Sequence, residues 1–184
     1  LGGQYRWQNS WGYVQPALSA RHLYTYYDRA SQTSQGIDRA NAGQDVLVPQ
    51  FSLDSGLVFE RSGRYQQFLE PRLFYAYAPY RNQDRLPSFD TVGASFSYSQ
   101  LFSPYRFIGH DRLEDNHVVA LGLTHRLYAA DGIERIRTSV GQQFLLADRR
   151  VRLDSTQPPQ SRQVGPALDL SVHLSEGLHL ESTT

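Results

Sequence analysis

The sequence predicts an all-β fold: an antiparallel arc of about 6–8 strands from an outer-membrane-type β-barrel, with short periplasmic turns and long extracellular loops. Three observations predict it. Six stretches alternate apolar and polar residues with a period of two, the signature of a strand that separates two media. These stretches run for about 12 to 17 residues, far beyond the ~5 to 6 of a soluble strand and long enough for a tilted membrane strand. The connections alternate between tight turns and long loops, as they do on the two rims of a barrel.

Residues 11 to 27 set Val14, Pro16, Leu18, Ala20, Tyr24 and Tyr26 against Gln15, Ala17, Ser19, Arg21 and Thr25. Residues 46 to 61 set Leu47, Phe51, Leu53, Leu57 and Phe59 against Gln50, Ser52, Asp54, Gly56 and Glu60. Residues 69 to 83 set Leu69, Pro71, Leu73, Tyr75 and Tyr77 against Glu70, Arg72, Phe74, Ala76 and Ala78. Residues 117 to 128 carry Val119, Leu121, Leu123 and Leu127 opposite Ala120, Gly122, Thr124 and Arg126. Residues 133 to 148 carry Ile136, Val140, Phe144 and Leu146 opposite Arg135, Arg137, Ser139, Gly141 and Gln143. The cleanest run starts at Val164, with Leu168, Leu170, Val172 and Leu174 against Ala167, Asp169, Ser171 and His173. Pieces of one further strand flank the six at each end.

Tight turns are expected at Ser62-Gly63, Asp131-Gly132 and Glu176-Gly177, and long loops at 28 to 45, 80 to 116 and 150 to 163. Asp-Gly suits a two-residue hairpin whose central residues both take positive φ. Aromatic residues gather at the ends of runs, with Trp7, Trp11 and Tyr13 at one end, Tyr24, Tyr26 and Tyr27 at the other, then Tyr75, Tyr77, Tyr80 and Tyr128. Such rings favour the headgroup level. Pro16, Pro49, Pro71 and Pro166 oppose strand formation, and are expected to lie near the ends of runs, where a missing donor is tolerated.

If lipid lies outside, Glu70 and Arg72 look into a wet lumen, where charges keep solvent or partners. Charge placed at Leu170 or Val140 should then block membrane assembly, and the same change at Ser171 or Ser139 should be tolerated. Six to seven strands cannot close a barrel, so the whole chain, 1–184, is expected to be part of a single outer-membrane barrel domain of something larger.

Composition excludes several functions. No apolar run approaches the ~20 residues of a membrane-spanning helix, and a negative mean hydropathy is uninformative for a barrel that hides its apolar half. The formal net charge is zero and every basic residue is arginine, which argues against a nucleic-acid partner. Without cysteine there are no disulfides or thiolate metal sites. Phosphate loops, nucleophile elbows, dinucleotide fingerprints and zinc helices are all missing, so no cofactor is expected and an enzyme is not. Asp111, Glu114 and Asp115 crowd one loop, where a divalent cation is one reading and a solvated acidic loop the stronger. Phe102, Tyr105, Phe107 and Ile108 in that loop are too oily for water, so it is expected to fold inward over the lumen.

The stretches LEPR and YAYAPYRNQD within 69 to 84, LFSPYRFIGHDRLEDNHVVALGLTHRLY at 101 to 128, IERIRTSVGQQF at 133 to 144 and VLVPQFSLDSGLVFER at 46 to 61 resemble the LPS-assembly family LptD, the organic solvent tolerance proteins of Gram-negative outer membranes. The resemblance implies a barrel of about 26 strands that passes lipopolysaccharide to the outer leaflet through a lateral gap between its first and last strands. It further implies a plug lipoprotein of the LptE type in the lumen, a periplasmic LptA-type bridge reached through a domain without counterpart here, surrounding outer-membrane lipid and the barrel-assembly machinery as partners. The location it implies is the outer membrane of a Gram-negative cell. On this view the segment is an interior arc without the gate. Lumen and lipopolysaccharide-path candidates are Arg21, Glu70, Arg72, Arg126, Arg135, Arg137 and Asp169, each of which could equally belong to a structural ion-pair network. Phe107, Gly109, Asp111 and Arg112 match the family's loop motif, with a structural role. Another outer-membrane barrel, porin or hydrolase, and a soluble lipid-binding β-protein are the rival readings.

Overall fold

A computed structural model describes residues 1–26, 43–83, 90–153, 164–175 and 178–183. Its strands are β1 (Gly2–Gln4), β2 (Trp7–Asn9), β3 (Gly12–Tyr26), β4 (Gly43–Leu57), β5 (Phe59–Arg61), β6 (Gln66–Ala78), β7 (Val92–Gly93), β8 (Phe107–Ile108), β9 (Asn116–Tyr128), β10 (Glu134–Leu145), β11 (Val164–Ser175) and β12 (Leu178–Thr183). All but β7 and β8 form one antiparallel sheet in the order β1-β3-β4-β6-β9-β10-β11-β12, with β2 also on β3 and β5 also on β6. Each long strand thus lies beside its neighbour in the chain, and the sheet is open at β1 and β12. The six expected runs and the flanking pieces are all present. Tyr27, the expected loops across 28–42 and 154–163, and the Glu176-Gly177 turn fall outside the described residues.

Alternation resolves into two faces. Val14, Leu18, Leu47, Phe51, Leu73, Tyr77, Leu121, Val140 and Leu168 stand on the outer face and are 37–65% exposed. Val46, Val48, Phe74, Ala76, Val118, Ala120 and Ala167 on the inner face are buried. An exposed apolar row of this extent, continuous across six long strands, is far larger than the scattered apolar residues of an ordinary surface. Trp7, Trp11, Tyr24 and Tyr77 are exposed toward the ends of the strands. Tyr13 and Tyr128 instead turn inward and donate their hydroxyls to Asp54 and Glu134.

The prolines lie deeper in the strands than expected: Pro49 is mid-β4 and Pro71 mid-β6. What accommodates them is a local lapse in the ladder. Leu1 exchanges both its backbone bonds with Ala20, so Ala20 and its register partner Pro49 are a non-bonded pair, and the proline nitrogen faces the β6 side beyond the last β4–β6 partners, Phe51 and Tyr77. Pro16 faces the break between β1 and β2 in the same way. Between Gly56–Arg72 and Phe59–Leu69 the ladder of β4 and β5 with β6 lapses opposite Glu70 and Pro71, with one register on either side. Pro166 sits in a β-bulge, where the β10–β11 register shifts.

The Asp131-Gly132 turn also differs from the two-residue form. Gly132 N–H donates to the Ala129 carbonyl, Ala129 N–H to the Ile133 carbonyl, and Gly132 has φ +78°. This is a three-residue loop in which a type I turn is closed by one left-handed glycine. Asp131 Oδ1 accepts the Ile133 N–H at 3.0 Å, and that bond leads the causes that hold its carboxyl below the usual range.

Candidate functional site

The register places Tyr13, Gly56, Arg72, Gly122, Gly141 and Ala167 in one row across the inner face of six strands. Four of the six are glycine or alanine, and the large residues use the room so made. A Cβ at Gly56 would meet the Tyr13 ring at 2.6 Å, so that ring lies over the bare backbone and brings its hydroxyl to Asp54. Arg72 forks onto the same carboxylate, Nε to Oδ1 at 2.9 Å and Nη2 to Oδ2 at 2.6 Å. Its guanidinium also covers the Phe102 ring at 4.3 Å.

Phe102 arrives from the long connection between β6 and β9. A 3-10 helix, Ser99–Phe102, is laid on the small residues of the row, with Leu101 1% and Phe102 6% exposed against Phe74, Ala76, Val118, Ala120 and Ala167. A Cβ on Gly122 would meet Phe102 Cζ at 2.4 Å, and one on Gly141 would meet Leu101 Cδ1 at 2.9 Å. Glycine inside a strand here marks close approach by another part of the chain. The loop folds inward as expected for Phe102 and Phe107, while Tyr105 and Ile108 remain exposed.

The loop motif is a set of ties. Phe107 is buried under the Arg106 guanidinium at 4.3 Å and pairs through β8 with Gly93 of β7. Gly109 has φ +128°, and a Cβ there would meet Thr91 Cα at 2.6 Å. That close passage lets Asp111 accept the Asp90 N–H at 3.1 Å and the Thr91 hydroxyl. Arg112 Nη1 donates to the Gln83 carbonyl at 2.9 Å, and the Gln83 amide pairs with both backbone groups of Leu113.

Glu114 and Asp115 are 2% and 5% exposed, so the acidic loop is buried and not solvated. Glu114 takes Arg21 of β3 at 2.5 Å; Asp115 takes Arg106 at 3.1 Å and the backbone N–H groups of Arg150 and Val151. Among the described residues no cluster of acidic and histidine side chains could hold a metal. Arg149 bridges Asn116 and Gln143 at 3.1 and 2.7 Å, and its pKa is lowered to about 10 by burial and by Arg106, so it stays charged at neutral pH. Burial lowers Arg106 as well, against the pull of Asp115 and Glu114.

Burial also raises the Glu114 carboxyl, and Arg21 opposes it only in part. An acid whose folded pKa exceeds its unfolded value binds protons more readily when folded. Its contribution therefore favours the folded loop most at acid pH, and that contribution declines as pH rises from the unfolded value through the folded one. Protease resistance of the loop should accordingly fall in the wild type as pH rises above the ordinary carboxylate range, and fall less in Glu114→Gln. An equal decline in both would assign the titration to another group.

The remaining candidates divide. Arg126 lies 3.3 Å from Glu70 and 3.9 Å from Glu134, and Arg137 Nε lies 2.8 Å from Glu134, so these inner-face charges form a chain toward the tight-turn rim. Arg135 occupies the bulge between Glu134 and Ile136 and pairs with Asp131 at 2.5 Å, apart from that chain. Asp169 is half-buried, in register with Ser139, and makes no ion pair with a described residue. Asp54, Glu134, Arg106 and Arg149 were not among the sequence candidates. Alternation marked Asp54 as inward, but the bulge that turns Glu134 inward has no local sequence mark.

Comparison with known proteins is consistent along the whole chain. The family model described as LptD, LPS transport system D, matches residues 2–184. The LPS-assembly protein LptD of Acinetobacter baumannii is 47% identical over 182 residues, covering 98% of this chain and 22% of that protein. Those of Psychrobacter cryohalolentis and Pseudomonas aeruginosa are 44% and 43% identical over 86% and 78% of the chain, in each case 17% of the relative. The chain thus spans about a fifth of the length of these curated relatives. With a long-stranded open antiparallel sheet, one apolar face and a family match over nearly all of its length, the chain belongs to the LptD family.

Proposed function

We propose that this chain is an interior arc of a barrel wall in the outer membrane of a Gram-negative bacterium, one part of a single barrel domain that delivers lipopolysaccharide to the outer leaflet. The observation that carries it is the pairing of a bare aliphatic outer face with an inner face of charge pairs and a packed loop. Hydrocarbon outside and water within are the two media that such a wall separates. The work is that of a conduit, without covalent chemistry. Lipopolysaccharide, an LptE-type plug in the lumen, an LptA-type bridge on the periplasmic side and the barrel-assembly machinery are the partners this reading entails.

Arg21, Glu70, Arg72, Arg126, Arg137 and Asp169 line the wet side of this wall and Arg135 its turn rim. Because most are matched to an opposite charge, the wall offers a nearly neutral path with few cations to trap a phosphorylated headgroup. Phe107, Gly109, Asp111 and Arg112 keep the loop seated. Spin labels in the full-length protein in bilayers test the reading. Labels at Leu168 and Leu170 should relax with oxygen, and labels at Asp169 and Ser171 with a water-soluble reagent. A profile without alternation removes the membrane wall.

A further inference from the structure

Near the tight-turn rim the outer face carries an apolar groove that leads toward two arginines. The groove, about 810 Å³, lies between Trp7 and Trp11 on one side and Leu73 and Leu121 on the other. The register explains its depth. Ser55 lies between Val14 and Leu73 in one outer row, and the short side chain leaves a dip beside its larger neighbours. Its hydroxyl is turned back to the Leu73 carbonyl at 3.3 Å, so the floor shows little polarity.

Parity carries the same face along β4 and β5 from Ser55 through Leu57 and Phe59 to Arg61. Leu57, Phe59 and Leu69 are 42%, 56% and 41% exposed. Phe59, Leu69 and His125 form one row across three strands, and a polar ring in that apolar face marks the level where hydrocarbon gives way to ester and glycerol oxygens. Arg61 stands beyond it, about 13 Å along the strand from Leu57. Arg64 follows in the turn, 5.8 Å from the exposed Tyr65 ring. Both arginines are exposed, and neither has an ion pair or side-chain hydrogen bond with a described residue.

Other charges at this rim are committed. Glu60 faces the inner side and accepts from Ser62 and Gln66, Asp131 takes Arg135, and Glu134 takes Arg137. Arg6 is turned to Gln8 and covers the Tyr13 ring. Two cations above an apolar groove are the complement of a phosphodiester above an acyl chain.

We propose that this patch of the outer face seats an anionic glycerophospholipid of the turn-side leaflet. Arg61 and Arg64 hold its phosphate, and one acyl chain crosses Phe59 and Leu57 to lie on Ser55 between Trp7 and Leu73. The span from Arg61 to Ser55, about 20 Å along a tilted strand, stays within one leaflet of a bilayer ~40–45 Å thick with its headgroups. The proposal rests on the barrel-wall reading above and adds to it which lipid one patch of that wall selects.

The test uses the full-length protein with its plug partner in nanodiscs of equal parts phosphatidylglycerol and phosphatidylcholine with matched chains. Native mass spectrometry counts the lipid of each kind that stays bound. Wild type is expected to retain phosphatidylglycerol in excess, and the excess should fall about fivefold in Arg61→Gln or Arg64→Gln and about 25-fold in the double variant. Ser55→Phe fills the groove floor without touching charge and should lower retention as well. Arg81→Gln, which removes an exposed cation bonded to the Leu47 carbonyl at the long-loop end of β6, should not. Because Arg61 and Arg64 are exposed, their variants read the site even if Ser55→Phe assembles poorly. Equal retention of the two lipids in the wild type, or an unchanged excess in the double variant, overturns the site. Loss in the arginine variants with none in Ser55→Phe reduces it to attraction for any phosphate and overturns it too. Retention of neither lipid gives the arginines to a protein partner, with the same result. Alternating spin-label accessibility without selective retention leaves the wall and removes only the lipid site; a flat label profile removes both.

Discussion

Replacing Gly122 with leucine is expected to expel the inward loop from the sheet. The added Cβ alone would lie 2.4 Å from Phe102 Cζ and 2.6 Å from Tyr98 Oη, inside any real contact distance. Neither group can yield cheaply. Phe102 is pinned between the Arg72 guanidinium and the buried cluster around Phe74 and Ala120, and Tyr98 Oη is bonded to Thr124 Oγ1 at 3.2 Å. Nor can the strand retreat, because Gly122 is laddered to Arg72 on one side and Gly141 on the other. Displacement exposes Leu101 and Phe102, about 1.5–3 kcal/mol each, and drags at the Gln143 amide that holds the Leu101 carbonyl at 3.0 Å. Trypsin should then cut after Arg106 and Arg112 in the full-length protein in its membrane. Gly93→Ala is the comparison, because a Cβ there meets nothing within 4 Å. Equal trypsin resistance in Gly122→Leu and wild type would mean that the loop is held by its ion pairs alone.

That dependence on bare backbone explains which parts of the molecule could be read in advance. Strands were legible because the side-chain period is two whatever packs on them, and so were the faces: Leu73 or Val140 against Arg72 or Ser139 needs only parity. The inward turn of Phe102 and Phe107 followed from their oiliness. Partnerships were not legible, because they are set by register between strands far apart in sequence. Asp54 meets Arg72 only because β4 and β6 are laddered with Gly56 opposite Arg72. Gly122 and Gly141 look like ordinary small lumenal residues until the register sets them side by side beneath one aromatic ring. A bulge shifts parity by one without changing composition, which is why Glu134 and not Arg135 joins the inner chain of charges. The acidic triplet at Asp111, Glu114 and Asp115 read as solvated because its arginines, Arg21 and Arg106, come from a distant strand and another part of the loop.

Val140→Arg should abolish outer-membrane assembly of the full-length protein, while Ser171→Arg should assemble near the wild-type level. Val140 is 45% exposed in the middle of β10, and its register partners on the outer face are Leu123 and Leu168, so an arginine there has no polar neighbour to reach. At the depth of the hydrocarbon midplane the penalty is about 2–4 kcal/mol, a large part of the ~5–15 kcal/mol that stabilises a native protein. Leu170→Arg should cost less, because Thr138 and Ser182 flank it. Ser171 lies on the inner face with Arg137 and Glu181 as its register partners, so an arginine there meets one like and one opposite charge. Ser139, expected from the sequence to tolerate charge as well, does not qualify: it is 4% exposed and shares a hydrogen bond with Thr124 at 3.0 Å, under the loop. The yield of folded, heat-modifiable protein in outer-membrane fractions measures all four. Assembly of Val140→Arg together with loss of Ser171→Arg would exchange the two faces of the proposed wall.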